Sequence, residues 1–331
     1  MIKRIIILAS ERSGTNLLRV LLGNHKDISA PVQGHFFNCV HVIKEYYGDL
    51  NKAENAKILL NHFIKIANHP FSDWKLELDV AKVIEKYKVN SIATAFDAIH
   101  REYTIREGKR NYAVKDNDMY NHIEHTEELK KDGDVYYINL YRDPRDHTVS
   151  WLKKPLFLHT PFDVAVKWNK EQSKIKEVKK RINMFDMRYE DLIADTPKVM
   201  TELFNYMDMP VDEKAFATDP KNVESKRNPF WENLSKPIIK DNKKNYKGLL
   251  KGKDLKIVET ICKQNMLDLG YIPDTSANWK DYFGFYKKNV LPKKRAASIK
   301  ENKEFYETEM KDLKSKLDLL KELRNDVQTG K

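Results

Sequence analysis

Residues 2–16 read Ile2-Lys3-Arg4-Ile5-Ile6-Ile7-Leu8-Ala9-Ser10-Glu11-Arg12-Ser13-Gly14-Thr15-Asn16, and this stretch decides the fold. Ile2 to Ala9 is a near-continuous β-branched run, the mark of a strand buried on both faces of a parallel sheet. A polar loop follows, and the apolar pattern then switches to helical spacing at Leu17, Leu18, Leu21 and Leu22. Such a loop leaves the first N–H groups of the helix pointing outward, where they bind anions. Gly14 lets a ligand approach the backbone. Ser13, Thr15 and Asn16 add side-chain donors, and Arg12 adds charge. The stretch reads as a phosphate cradle, set against an ordinary capped turn. It does not match GxxxxGK[ST], so it offers neither a P-loop lysine nor an adjacent hydroxyl for Mg²⁺.

Two more strands follow the same logic. Asp134 to Tyr141 (DVYYINLY) is a second buried strand, after which Asp143 and Pro144 open a helix carrying Val149, Trp151 and Leu152. Met184 to Tyr189 (MFDMRY) is a third, followed by a helix through Met200, Leu203 and Phe204. Strands alternating with helices predict an α/β fold with a parallel sheet covered on both sides. Between the first two strands, residues 36–110 read as a helical insertion, with helices over Val40–Tyr47, Ala56–Ile66, Val80–Tyr87 and Ser91–Glu107. Insertions at strand ends shape substrate sites in such folds. At the second strand end, Arg142 offers a forked donor and Ser150 a hydroxyl two helical turns on, a pair suited to one phosphate or to a surface ion-pair cluster. At the third, Arg188-Tyr189-Glu190-Asp191-Leu192 places an aromatic beside two acids that suit a helix N-terminus.

At 331 residues, the chain has room for about two domains, or one large α/β domain with an appendage. A content of 41% hydrophobic residues supports a core and excludes a mainly disordered chain. The early apolar run Ile5 to Ala9 is short of the roughly 20 residues of a membrane span, and it leads into a motif rather than a cleavage site. Cys39 and Cys262 give neither a disulfide framework nor a metal-ligand spacing, so a reducing cytoplasm and no metal are expected. The net charge of +11 favours anionic partners without choosing among them.

The tail changes character. Tyr282, Phe283, Phe285 and Tyr286 precede Lys287, Lys288, Lys293, Lys294 and Arg295, a mixture suited to peripheral membrane contact or to the core. Ser298 to Val327 then reads as a charged helix with an apolar stripe at Met310, Leu313, Leu317, Leu320, Leu323 and Val327. The stripe suits a coiled-coil homodimer through residues 305–327 or a helix docked in cis. The expected organisation is a domain over 1–285 and a basic linker with its helix over 286–331.

Together, the three strand-end motifs resemble the sulfotransferases that use 3′-phosphoadenosine 5′-phosphosulfate (PAPS). Arg12-Ser13-Gly14-Thr15 is similar to that family's loop for the 5′-phosphosulfate. Tyr141 to Ser150 (YRDPRDHTVS) is similar to its 3′-phosphate element, held by the Arg and the Ser. Arg188 to Leu192 is similar to its RYEDL segment, whose Tyr lies near the adenine. Ser235 to Tyr271 resembles the closing part of the domain, where a basic loop with an aromatic covers the nucleotide and where Lys244 is the matching phosphate contact. The resemblance covers residues 2–275 and implies a P-loop-like three-layer fold. Three positions depart from the pattern: Asn16 replaces a hydroxyl, Tyr246 replaces a Trp, and Lys115-Asp116-Asn117 lacks the His of a Lys-x-His element.

The implied reaction is in-line transfer of the sulfuryl group to a hydroxyl or amine acceptor, a glycan by the kind of loop resembled, with adenosine 3′,5′-bisphosphate leaving. It needs a base, cations for the developing charge, and alignment, but no metal. Arg12 is assigned to the leaving phosphate. Lys115, ending the strand Tyr112-Ala113-Val114, is assigned to the sulfuryl group. His35 is the candidate base, since an unperturbed imidazole titrates near 6.5, with Asp116 second. The cofactor-binding set is Arg12, Ser13, Gly14, Thr15, Asn16, Arg142, Ser150, Tyr189 and Lys244. Two rivals stand beside this reading. An ATP-dependent kinase lacks its Walker lysine here. A non-catalytic nucleic-acid-binding protein would use the eight lysines of Lys236 to Lys256 and would not need Arg12 or Arg142. The transferase reading expects no nucleic-acid partner.

Overall fold

The computed structural model describes residues 2–153, 160–219, 229–276 and 303–329, and the structure below is that of these residues. Five strands, β1 (Lys3–Ala9), β2 (Ile28–Ser29), β3 (Asn111–Lys115), β4 (Asp134–Tyr141) and β5 (Phe185–Arg188), pair in parallel in the order β2-β3-β1-β4-β5. The helices are, in chain order, α1 (Thr15–Asn24), α2 (Phe36–Val40), α3 (Ala53–Asn68), α4 (Val80–Tyr87), α5 (Ile92–Arg106), α6 (Ile123–Glu128), α7 (Pro144–Leu152), α8 (Pro161–Lys179), α9 (Tyr189–Ala194), α10 (Thr196–Tyr206), α11 (Tyr246–Leu249), α12 (Gly252–Asp268) and α13 (Lys303–Thr329).

The two-residue period of β1 divides its apolar run between two cores. Ile5 and Ile7 pack with Leu18, Leu21, Leu140 and Leu203 on one face. Ile6 and Leu8 pack with Phe36, Phe63 and Phe96 on the other. The result is the expected three-layer α/β fold, with the helical insertion covering the second face. In register, Ile7 stands opposite Lys115 and Ala9 opposite Leu140. The chain therefore leaves β1, β3 and β4 at one edge, where the strand order switches direction around β1, the usual ligand position in such sheets.

Helix limits follow local chemistry. Ser91 and Thr94 form a capping box at α5, and Thr160 with Asp163 forms another at α8, where Pro161 fills the first turn. The expected helix over Val40–Tyr47 differs: α2 ends at Val40 and a 3₁₀ turn, His41–Tyr46, continues it, its three-residue spacing placing Val40 and Ile43 in the core. Strand β2 has only two residues, too few for a periodic signal.

Helix α13 docks in cis. Leu319 and Leu323 are buried in the insertion-side core, with Leu320 and Val327 packed against it. Lys65 on α3 donates to Glu322 (2.7 Å) and Asp326 (2.6 Å), and Ser315 Oγ lies 2.8 Å from His69 Nε2. Part of the stripe expected for a homodimer is thus covered by the same chain, while Leu317 is 49% exposed. The expected boundary at 285/286, the tail aromatics 282–286, the lysine-rich linker, and the side chains of Met310 and Leu313 lie outside the described residues. No described helix is long and apolar enough to cross a membrane.

A fully buried ion pair ties β1 to the insertion. Arg4 Nε and Nη2 donate to Asp97 Oδ1 (2.6 Å) and Oδ2 (2.8 Å), and the Tyr112 hydroxyl donates to Oδ1 (2.7 Å). Burial works against the Asp97 charge, but Arg4 and Tyr112 hold the carboxyl below its ordinary range. Removing one partner strands the other charge, so Asp97→Ala is expected to cost about 3–5 kcal/mol in urea unfolding. A loss under about 1 kcal/mol would show that the pair does not hold the insertion in place.

Candidate active site

The loop after β1 has the special backbone that an anion cradle needs. Arg12 takes φ +72° and Gly14 φ +91°, both left-handed. Any side chain at Gly14 would collide with Tyr189, whose Cδ2 would lie 2.3 Å from the added Cβ. Gln172 Nε2 on α8 donates to Ser10 Oγ (2.9 Å), and His147 Nε2 on α7 donates to the Glu11 carbonyl (2.7 Å). Thr15 and Asn16 begin α1. Ser13 Oγ is buried and has no hydrogen-bond partner.

The second phosphate motif meets this loop. Arg12 Nε donates to Ser150 Oγ (3.2 Å). Arg142 Nη1 donates to the Arg12 carbonyl (3.4 Å) and Nη2 to the Asn242 carbonyl (3.2 Å), while its Nε is buried without a partner. The Arg142 guanidinium lies 4.4 Å over the Tyr189 ring, and Asn242 Nδ2 donates to the Tyr189 hydroxyl (2.8 Å). Burial lowers the Arg12 pKa, Glu11 opposes that, and Arg142 adds to it. Two guanidiniums, a serine hydroxyl and the α1 N-terminus therefore converge at one sheet edge. Tyr189 is 6% exposed and wedged between Gly14 and Arg142.

The closing segment is placed differently from the expectation. Lys244 is held through its backbone N–H, which donates to Asp146 Oδ2 (2.6 Å), while Tyr246 N–H donates to Oδ1 (3.0 Å). The Lys244 side chain is exposed beside a cavity of about 380 Å³ whose wall mixes acids, among them Asp146 and Glu190, with bases, among them Arg188 and Lys247. Tyr246, expected to cover a nucleotide, is 2% exposed under the Arg145 guanidinium, with its hydroxyl on Asp274 (2.8 Å). Its ring is packed against Arg145 and so is held by the fold in this structure. Arg145 is bidentate to Asp143, Nε to Oδ1 (2.9 Å) and Nη2 to Oδ2 (2.7 Å), and donates to Glu259 (2.9 Å). Glu190 accepts from Asp143 N–H (3.1 Å) and the Tyr271 hydroxyl (2.8 Å).

The ends of β3 and the α1–α2 connection form the other half. Lys115 is 5% exposed and donates to Gln33 Oε1 and to Asn117 Oδ1 (2.9 Å). Asp116 accepts from the backbone N–H groups of His35 (3.0 Å), Phe36 (3.1 Å) and Asn117 (3.1 Å). His35 Nδ1 lies 3.3 Å from Asp116 Oδ1. His35, itself in a left-handed conformation, is thus clamped to the second candidate base. Burial, with Lys316 and Lys115, pulls His35 down to about 3, while burial pushes Asp116 up to about 7 against Lys115 and its backbone donors. Lys316 on α13 lies 4.9 Å over the Phe71 ring, which meets His35 edge-on. Gln33, Asn117, Asp146 and Asn242 escaped sequence reasoning, since amides and helix-interior acids carry no motif of their own.

The sequence signature of the sulfotransferase family matches residues 4–213, and the chain belongs to that family. Its fold is similar to the sulfotransferase domain from the Synechococcus PCC 7002 olefin synthase, at 18% identity over 80% of this chain and 94% of that one (TM-score 0.55). It is also similar to the sulfotransferase domain from the curacin biosynthetic pathway, at 18% identity over 82% of this chain and 99% of that one (TM-score 0.53). These neighbours share the P-loop-like α/β fold. Comparison with curated proteins finds no match.

His147 makes the cradle's support sensitive to acid. It is fully buried, and burial pulls it down to about 3. Below pH 6.5 the unfolded chain takes up a proton that the folded chain refuses, which removes about 1.4 kcal/mol of stability per pH unit. His147→Gln keeps an N–H for the Glu11 carbonyl and lacks this penalty. Urea unfolding should show the variant gaining on the parent by about 1 kcal/mol between pH 6.5 and 5.5. Parallel curves would mean that His147 is protonated in the fold.

Proposed function

We propose that this protein transfers the sulfuryl group of PAPS to a hydroxyl acceptor. The observation that supports it most is the convergence of Arg12, Arg142 and Ser150 beside two buried polar atoms without partners, Ser13 Oγ and Arg142 Nε. Each such group costs about 1–3 kcal/mol, which an oxygen-rich anion would offset. Bound there, PAPS supplies the sulfuryl group and a bisphosphate leaving group. Ser13, Gly14, Thr15 and Asn16 are suited to its 5′ side and Arg142 with Ser150 to its 3′-phosphate. Arg12, between the two, is suited to the leaving phosphate. Tyr189 sets the spacing of Gly14 and Arg142. Lys244, exposed on the neighbouring loop, would have to swing in from the mixed-charge cavity beside it to take part.

On the acceptor side, Gln33 and Asn117 orient the Lys115 ammonium, which neutralises charge on the sulfuryl oxygens. His35 Nδ1 lies 3.3 Å from Asp116 Oδ1, and an Nδ1–H turned toward that carboxylate would leave Nε2 to accept the proton of the acceptor hydroxyl. Asp116 thereby becomes the orienting group rather than a rival base. The histidine that Lys115-Asp116-Asn117 lacks comes instead from residue 35. The first acceptor class to screen is a glycan hydroxyl. We take residues 1–285 as the transferase unit and 286–331 as its appendage. A cytoplasmic location suits the two free, buried cysteines.

The test uses ³⁵S-labelled PAPS and a panel of hydroxyl acceptors, glycans first. His35→Ala is expected to lower kcat by about 10²–10⁴-fold. Near-parental turnover in that variant would end its role as base. In the parent, kcat/KM should fall on the acid side near pH 7, where Asp116 takes up a proton and loses the charge that faces His35. An acid limb unchanged in Asp116→Asn would assign it to another group.

A further inference from the structure

The two cysteines offer no metal-ligand spacing, yet the fold gathers three histidines that are distant in sequence. His41 lies in the turn after α2, His122 caps α6, and His125 follows within it. One ring nitrogen from each lies within 4.8 Å of the other two. His41 Nδ1, His122 Nδ1 and His125 Nε2 are all buried, and none has a hydrogen-bond partner. His122 is 7% exposed. Three orphan nitrogens on one cluster is an unusual cost for a fold to carry, since buried polar atoms are nearly always satisfied.

We propose that His41, His122 and His125 bind a divalent transition-metal ion, Zn²⁺ by ligand class. The inference is independent of the sulfuryl-transfer reading. Imidazole nitrogen selects zinc, copper, nickel and their neighbours, whereas magnesium and calcium want oxygen. The tautomers suit ligation. His122 Nε2 lies 3.3 Å from Asn38 Oδ1, and an N–H donated there leaves Nδ1 with its lone pair. Burial disfavours the charged form of both His122 and His125. Phe37 stacks on both rings, at 5.4 Å from His122 and 5.1 Å from His125, and fixes their planes. Zn–N bonds of about 2.0–2.1 Å need nitrogens about 3.3 Å apart, so the rings turn inward on binding. The half-buried side of His41 is the entry path, and water completes the fourth position.

The ion would pin α2 to α6. His35 caps α2, and Asp116 lies six residues before His122, so the same ion braces the two segments that carry this pair.

The test takes the full chain, stripped with chelator and dialysed, and titrates it with Zn²⁺ and with Co²⁺. One ion per chain is expected, with the visible absorption bands of nitrogen-ligated Co²⁺. The melting midpoint should rise by about 5 °C at 100 times the Kd. His41→Gln, at the half-buried position, should bind at least tenfold more weakly while keeping the parental circular dichroism. His125→Gln should do the same and serves if His41→Gln does not fold. Less than one ion per chain in the parent, or affinity unchanged in a folded His→Gln variant, would overturn the site.

Discussion

Arg145 is a buried guanidinium whose partners come from four separate parts of the chain. It is bidentate to Asp143 at the start of α7, reaches Glu259 on α12 and the Ile272 carbonyl (3.1 Å), and lies 4.2 Å over Tyr246. Glu259 in turn accepts from the N–H groups of Asp274 and Thr275 (both 2.8 Å). Without Arg145, two carboxylates would stand buried and close together, an arrangement that costs several kcal/mol. Asp146, one residue on, holds the 244–246 backbone from the other side. That loop presents the Asn242 carbonyl to Arg142. The position of the Arg142 guanidinium thus depends on the Arg145 charge network through the loop they share.

The parallel sheet explains why the two halves proposed for donor and acceptor are neighbours. β1 lies between β3 and β4, so Lys115 and Asp116 leave on one side of Arg12 and Arg142 on the other. The insertion then folds His35 back onto Asp116. Helix α13, docked on that insertion, brings Lys316 within electrostatic reach of His35. The tail helix therefore forms part of the surroundings of His35 rather than standing apart from them.

Much of this was legible in the sequence because strand ends and their loops are local. β1, β4 and β5, the Gly14 turn, and the Arg142–Ser150 spacing all follow from patterns within ten residues. β2 was not legible, since two residues carry no period. The tail stripe was visible, but apolar spacing does not say which surface covers it; Leu319 and Leu323 meet α3 of the same chain. Tyr246 read as an aromatic lid because its partner Arg145 lies 101 positions earlier in the chain, a distance no local pattern spans. The pairing of His35 with Asp116 and the gathering of His41, His122 and His125 are likewise products of long-range packing.

The most direct measurement is calorimetric titration of the full chain with adenosine 3′,5′-bisphosphate and with 5′-AMP. If Arg142 and Ser150 hold a 3′-phosphate, the bisphosphate binds at least tenfold more tightly, and Arg142→Ala removes most of that preference, in line with about 1.5–3 kcal/mol for a hydrogen bond to a charged group. Equal affinity for the two nucleotides, or a preference that survives Arg142→Ala, would contradict the assignment of this sheet edge to a PAPS-type donor.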